Sequence, residues 1–202
     1  EIRPRDWSSD VCSSYLFHSG LTEDARHVID ELRAVDALQS IIVAGYSLAG
    51  NLALKLAGEY GHDAPAALTA VAAVSPIIEI GECTRALERR ENVLYEWNFV
   101  RELKLRMERK ERHWPGLFDL TKLGAIRTVR EFDNTFTAPH FGFADAEDYY
   151  HRCSAMRVAD RIHVPALIVT AEDDPFVPPG PFRSPVLAAN RHIELHLTRY
   201  GG

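Results

Sequence analysis

The chain has 202 residues, 46% of them hydrophobic and 26% charged, with 23 basic against 29 acidic groups and a formal net charge of −6. That is ample for one self-stable core, and it argues against disorder, coiled coil and nucleic acid as a partner. Cys12, Cys83 and Cys153 form neither a disulfide framework nor a zinc pattern, no apolar run nears the ~20 residues that cross a bilayer, and Glu1 to Asp6 carry no signal-peptide core, so the cytoplasm is expected.

In chain order, residues 1–16 are polar, serine-rich and without period. The stretch from Arg5 to Leu16 resembles translated sequencing-adapter read-through, so 1–16 is set aside as a non-native or disordered tail. Thr22-Glu23-Asp24 predicts a helix start with Thr22 as hydroxyl cap, followed by a stripe at Ala25, Val28, Ile29, Leu32 and Val35. Ser40 to Ala44 is short, β-branched and apolar, as a strand covered on both faces would be. The turn Gly45-Tyr46-Ser47-Leu48-Ala49-Gly50 follows, then a helix to Tyr60, then a second buried strand over Ala70 to Ser75. This alternation predicts an α/β fold on a mostly parallel sheet.

The rhythm breaks after residue 82. Val93, Leu94, Trp97, Val100, Leu103 and Met107 read as one helical stripe. Residues 85–112 hold nine basic and six acidic side chains, locally +3 in an acidic protein. A solvated helix face laced with ion pairs is the favoured reading, and transient contact with an anionic membrane surface is the alternative. A helical cap insertion is expected over about 82–150, within one domain over 17–202. Its aromatics (Trp97, Phe99, Trp114, Phe118, Phe136, Phe141, Phe143) suit the core of that insertion first and an apolar pocket second. Strands then return at Ala166 to Thr170 and Ile193 to Thr198.

Two motifs carry chemistry. A serine hydroxyl becomes a useful nucleophile when a sharp strand-to-helix turn holds it out beside a base, which needs small neighbours two residues either side. Gly45 and Ala49 flank Ser47 in that way, and the N–H of Leu48 is placed to donate to a developing oxyanion. Asp173 and Asp174 follow a late strand, where a triad acid would sit; Asp174 is preferred, three residues after Ala171 and four before Pro178. A histidine is expected after the last strand, yet only Arg199-Tyr200-Gly201-Gly202 lie there. His192 and His196 read as packing or surface residues, and no histidines show metal-ligand spacing.

These pieces, with Gly20-Leu21-Thr22-Glu23-Asp24, Val74-Ser75-Pro76, Arg130-Glu131-Phe132-Asp133, Tyr149-Tyr150 and Thr198-Arg199-Tyr200-Gly201-Gly202, resemble the YheT-type carboxylesterases, the AB hydrolase 4 family of the α/β-hydrolase superfamily. The resemblance runs from His18 to the end. It implies a partial α/β-hydrolase fold, with Ser47 as nucleophile and Asp174 as the acid. The catalytic histidine would directly follow Gly202, and the other oxyanion donor would come from an earlier loop. The chain is thus expected to be an esterase fragment truncated at both ends and inactive by itself. The intact enzyme would hydrolyse short-chain or lipid esters, needing no cofactor and no metal. Other serine hydrolases of the same fold, a thioesterase or peptidase, stay open, as does a non-catalytic binding protein on this scaffold. Ala49 departs from the family's usual glycine.

Overall fold

The computed structural model describes residues 16–202. Its sheet has four parallel strands in the order β1 (Ile41–Tyr46), β2 (Leu68–Val74), β3 (Ala166–Ala171) and β4 (Ile193–Thr198). Tyr46 pairs with Val74, Val74 with Val169 and Ala171 with Thr198, so the strands finish at one common edge. Parallel neighbours require crossovers, and the chain supplies them as helices.

The first helix, α1 (Thr22–Ala34), carries Glu23 and Asp24 in its opening turn. Thr22 is its first residue and not its cap; the hydroxyl donates to Glu59 Oε2 at 2.5 Å and ties α1 to the next helix. That helix, α2 (Ser47–Tyr60), packs into the main core: Leu54, Leu56 and Ala57 are buried with Val71, Ala73, Ile162 and Ile168. Val35, expected to pack, is exposed beyond the end of α1. The expectation of strands covered on both faces is also corrected. Ile42 and Leu167 are exposed, because the described residues cover one face of the sheet while the strand sequences are apolar on both.

Between β2 and β3 run α3 (Ile80–Leu87), α4 (Val93–His113), α5 (Val129–Phe132), α6 (Ala138–Phe141) and α7 (Ala146–Cys153), with a π-helical turn over Asp133–Thr137. They form two smaller cores. One gathers Leu16, Val100, Met107, Leu123, Ile126, Phe132 and Phe136; the other gathers Ile80, Ala146, Tyr149, Tyr150 and Cys153. Leu16 therefore packs into this region, although the sequence assigns it to a foreign tail; residues 1–15 of that tail lie outside the described residues. Phe136, Phe118, Phe141 and Phe143 do pack within these cores.

The stripe expected on α4 splits. Glu96, Val100, Met107 and Lys110 are buried, whereas Val93, Leu94 and Trp97 face outward. Arg130 ties parts of this segment together: its guanidinium donates to Glu88 Oε1 at 2.7 Å, just past the end of α3, and pairs with Glu147 on α7. The last helix, α8 (Pro185–Ala189), is capped by Ser184, whose Oγ accepts from Val186 N.

Candidate active site

At the carboxyl edge of the sheet, β1 turns into α2 within one residue. Tyr46 is extended, with φ −107° and ψ 143°, and Ser47 is left-handed with φ 50°. A non-glycine residue pays about 1–3 kcal/mol for such a backbone and keeps it only where its surroundings impose it. Here the imposing contact is backbone on backbone. A Cβ on Gly45 would lie 2.3 Å from the carbonyl oxygen of Ala49, and one on Gly50 would lie 2.9 Å from Pro76 Cβ and 3.1 Å from the Gly45 oxygen. The tight partners are thus Gly45 and Gly50, while the Ala49 methyl is exposed and outside that contact.

Ser47 itself is exposed at this bend, and its carbonyl accepts from Ile77 N at 3.3 Å in the loop after β2. Leu48 is the second residue of α2, so its amide is among the first-turn N–H groups that a helix leaves without an internal acceptor. Its carbonyl accepts from Ser19 Oγ at 3.2 Å. Ser19 in turn sits on a hub that the sequence motifs do not announce. Asn51, fully buried in α2, donates to Ser19 Oγ at 2.6 Å and to the Cys153 carbonyl at 2.8 Å, and accepts from Ala155 N at 2.7 Å. A buried side-chain amide must satisfy its donors and acceptor inside the fold, and Asn51 does so with partners far along the chain, which the sequence alone does not name.

Asp174 lies in the loop after β3, two strands from Ser47 at the same edge. At the usual strand spacing the two turns are separated by about 10 Å of backbone. Asp174 Oδ1 accepts from Phe176 N at 2.8 Å and Val177 N at 3.0 Å, which fixes the carboxylate against its own loop. Asp173 is exposed and accepts from Gly202 N at 2.9 Å. Gly202 also lies against Asp174: a Cβ on it would fall 2.4 Å from Asp174 Cα. Behind the loop, burial, and after it the Asp174 and Glu82 charges, push the Cys83 thiol up to about 12, so it is inert at neutral pH.

The histidines sort by position. His196 is exposed on β4 and bonds Glu194 at 2.6 Å, and His192 stands beside His163 with ring centroids 5.3 Å apart. His18 is buried, with its ring against Phe141, Phe143 and Tyr149, and its Nδ1 accepts from Gly20 N at 3.0 Å. Burial, then the Lys55 charge, lowers it to about 4 and keeps it neutral. None of these is placed by a described contact between Ser47 and Asp174. Among the described residues no cluster of three or more His, Cys, Asp or Glu could hold a metal ion, and no helix is long and apolar enough to cross a membrane.

No family model matches the chain. Among curated proteins it is similar to the "Putative esterase YheT" of Escherichia coli (strain K12), 36% identical over 193 residues, covering 93% of this chain and 55% of the relative. It is 29% identical over 182 residues to the "Phospholipase ABHD3" of Mus musculus, covering 90% of this chain and 44% of that one. With the "Monoacylglycerol lipase" of Saccharomyces cerevisiae it shares 27% over 176 residues, 84% of this chain and 39% of the relative. The chain thus spans about half the length, or less, of these relatives. Among solved structures it aligns with a puromycin-hydrolysing peptidase of Mycobacterium tuberculosis at a TM-score of 0.52 and 17% identity, over 88% of this chain and 21% of that one.

Proposed function

We propose, from the likeness of the chain to these esterases and lipases and from its parallel α/β sheet, that it is part of an α/β-hydrolase and carries the nucleophile and the acid of a serine carboxylic-ester hydrolase acting on short-chain or acylglycerol-like esters. Ser47 Oγ attacks the ester carbonyl. A histidine standing between Ser47 and Asp174 takes the hydroxyl proton and hands it to the leaving alcohol, while Asp174 fixes its orientation. The amide of Leu48 donates to the oxyanion, and a second donor comes from another loop. Water then attacks the acyl-enzyme and the acid leaves. No step calls for a metal or an organic cofactor, and the helical segment over about 82–150 serves as the cap over the serine.

The observation that carries this reading is the left-handed backbone of Ser47 at the carboxyl end of β1, on the same sheet edge as Asp174. The gap of about 10 Å between the two turns suits the breadth of an imidazole between the side chains. The preference for Asp174 over Asp173 is supported by its two amide donors and by its partly buried position. The contact of Gly202 with Asp174 supports a place for the loop after β4 beside the candidate acid, where a triad histidine would act. A cytoplasmic setting is supported by Cys83 and Cys153, both buried free thiols.

The test is made on the longer protein encoded by the parent gene. Fluorophosphonate labelling and p-nitrophenyl ester hydrolysis should be present and should vanish in Ser47→Ala. Labelling that persists unchanged removes Ser47 as nucleophile. An intact, folded protein that neither labels nor hydrolyses turns the reading to a binding protein on this scaffold.

A further inference from the structure

Helix α4 has two apolar stripes, and the fold uses one. The inward one runs through Val100, Leu103 and Met107. The other leaves Val93, Leu94 and Trp97 exposed to 58%, 77% and 63%. Exposed apolar residues scattered singly need no explanation, but three within five residues on one helix end form a patch. This patch runs into a groove of about 370 Å³ lined by Trp97, Arg101, Lys104, Leu105, Glu108 and Arg127.

Two cations of the groove, Lys104 and Arg127, are held by neutral acceptors. Lys104 Nζ donates to the Ile126 carbonyl at 2.7 Å, and the Arg127 guanidinium donates to the carbonyls of Gly124 and Ile126 at 2.5 and 2.9 Å. Carbonyls fix these side chains without cancelling their charge. Arg101 pairs with Glu102 at 3.2 Å, and Glu108 is the carboxylate within the lining. An exposed tryptophan and leucine beside fixed cations make an amphiphilic face, apolar where lipid tails begin and basic at the height of phosphates.

We propose that this face of α4 docks on an anionic phospholipid surface, with Leu94 and Trp97 entering the interfacial layer and Arg101, Lys104 and Arg127 meeting lipid phosphates. The argument for this occupant is charge complementarity: in a chain of net charge −6 the groove lining sets the cations Arg101, Lys104 and Arg127 against the Glu108 carboxylate, a locally positive face beside the apolar patch that suits anions. The face also lies next to the candidate active site. Asn92, just before α4, donates to the carbonyls of Ala86 and Pro175, both at 2.9 Å, and Tyr95 packs edge-on against Phe176 at 4.8 Å. A membrane docked on the first turns of α4 therefore sits beside the Asp174 loop. Delivery of a lipid ester to Ser47 rests on the esterase reading; the docking itself does not.

The test is co-sedimentation of the chain with vesicles of equal parts phosphatidylglycerol and phosphatidylcholine, against phosphatidylcholine alone. Binding is expected to the anionic vesicles only, to fall at high salt, and to weaken about fivefold for each cation removed in Arg101→Gln and Lys104→Gln. Leu94→Ser with Trp97→Ser should abolish it, with circular dichroism unchanged because both side chains are exposed. Ser47→Ala should bind as well as the parent, which separates this proposal from the esterase reading. Equal binding to neutral vesicles, no binding to anionic ones, or undiminished binding by the variants overturns the proposal. So does release by millimolar glycerol phosphate, which would assign the groove to a free phosphate ester. A dimer that Leu94→Ser with Trp97→Ser dissolves would also overturn it, assigning the patch to a second copy.

Discussion

Ser47 and Ser75 hold equivalent positions at the carboxyl ends of adjacent parallel strands: Tyr46 pairs with Val74, and the next residue on each strand turns left-handed, with φ 50° and 43°. Two such backbones side by side are where this fold gives up stability for geometry. Glycine takes that conformation without the steric cost. Ser47→Gly is therefore expected to raise the unfolding free energy of the chain by about 1 kcal/mol, read from urea denaturation, while removing fluorophosphonate labelling in the longer protein. A less stable Ser47→Gly would show that the serine side chain braces the turn instead of straining it.

Gly45 has the opposite sensitivity. Its absent Cβ would meet the Ala49 carbonyl oxygen at 2.3 Å and the Gly50 nitrogen at 2.7 Å, both backbone atoms that no rotamer change can move. Gly45→Ala is expected to cost about 3 kcal/mol or more, on the order of a severe overpacking. Gly124→Ala is the control: no atom lies within 4 Å of the point where its Cβ would stand and its φ is not left-handed, so its stability should stay within about 0.5 kcal/mol of the parent. Equal denaturation midpoints for the two variants would mean the turn relaxes around a methyl.

Asn51 joins three parts of the chain at once. Truncation to alanine leaves the Cys153 carbonyl, the Ala155 amide and the Ser19 hydroxyl short of a partner in a fully buried site. At about 1–3 kcal/mol for each stranded group, Asn51→Ala should cost roughly 3–5 kcal/mol, a large share of a domain's whole stability. Asn51→Asp should do no better, since it sets a second acceptor against the Cys153 carbonyl. Thermal unfolding decides; a loss below about 1 kcal/mol would mean that water replaces the amide.

The turn at Ser47 was legible in the sequence because its causes are local: an apolar strand, glycines where backbones touch, and a helix at once after. The position of Asp174 in the loop after β3, at the same sheet edge, was legible from the strand before it. The inward face of α4 was not. Val93, Trp97 and Val100 keep helical spacing as well as Val100, Leu103 and Met107 do, and period alone does not choose between overlapping stripes. The choice was made by distant partners, Leu123, Ile126 and Phe132, and by a hydrogen bond from Val129 N at 3.3 Å that satisfies the buried Glu96 carboxylate. The Ser19–Asn51 hub was hidden for the same reason, since Cys153 lies far along the chain from both.

Two buried groups oppose each other as pH falls. Burial pushes the Asp133 carboxyl up to about 6, against the hydroxyls of Thr137 and Tyr150, each 2.7 Å away, and the Arg130 charge. The folded chain therefore holds a proton that the unfolded chain releases above its ordinary 3.8, and this stability fades as pH rises toward 6. His18 behaves in reverse. Its folded value of about 4 lies below the ordinary 6.5, so its contribution is full above 6.5 and fades as pH falls toward 4. Each amounts to on the order of 2–3 kcal/mol, and across about pH 4 to 6 the two slopes cancel. Removing one group exposes the other. Relative to the parent, Asp133→Asn should lose stability on acidification through that window, and His18→Gln should gain it, in urea unfolding measured at a series of pH values. If both variants track the parent at every pH, neither group titrates inside the folded chain as its burial requires.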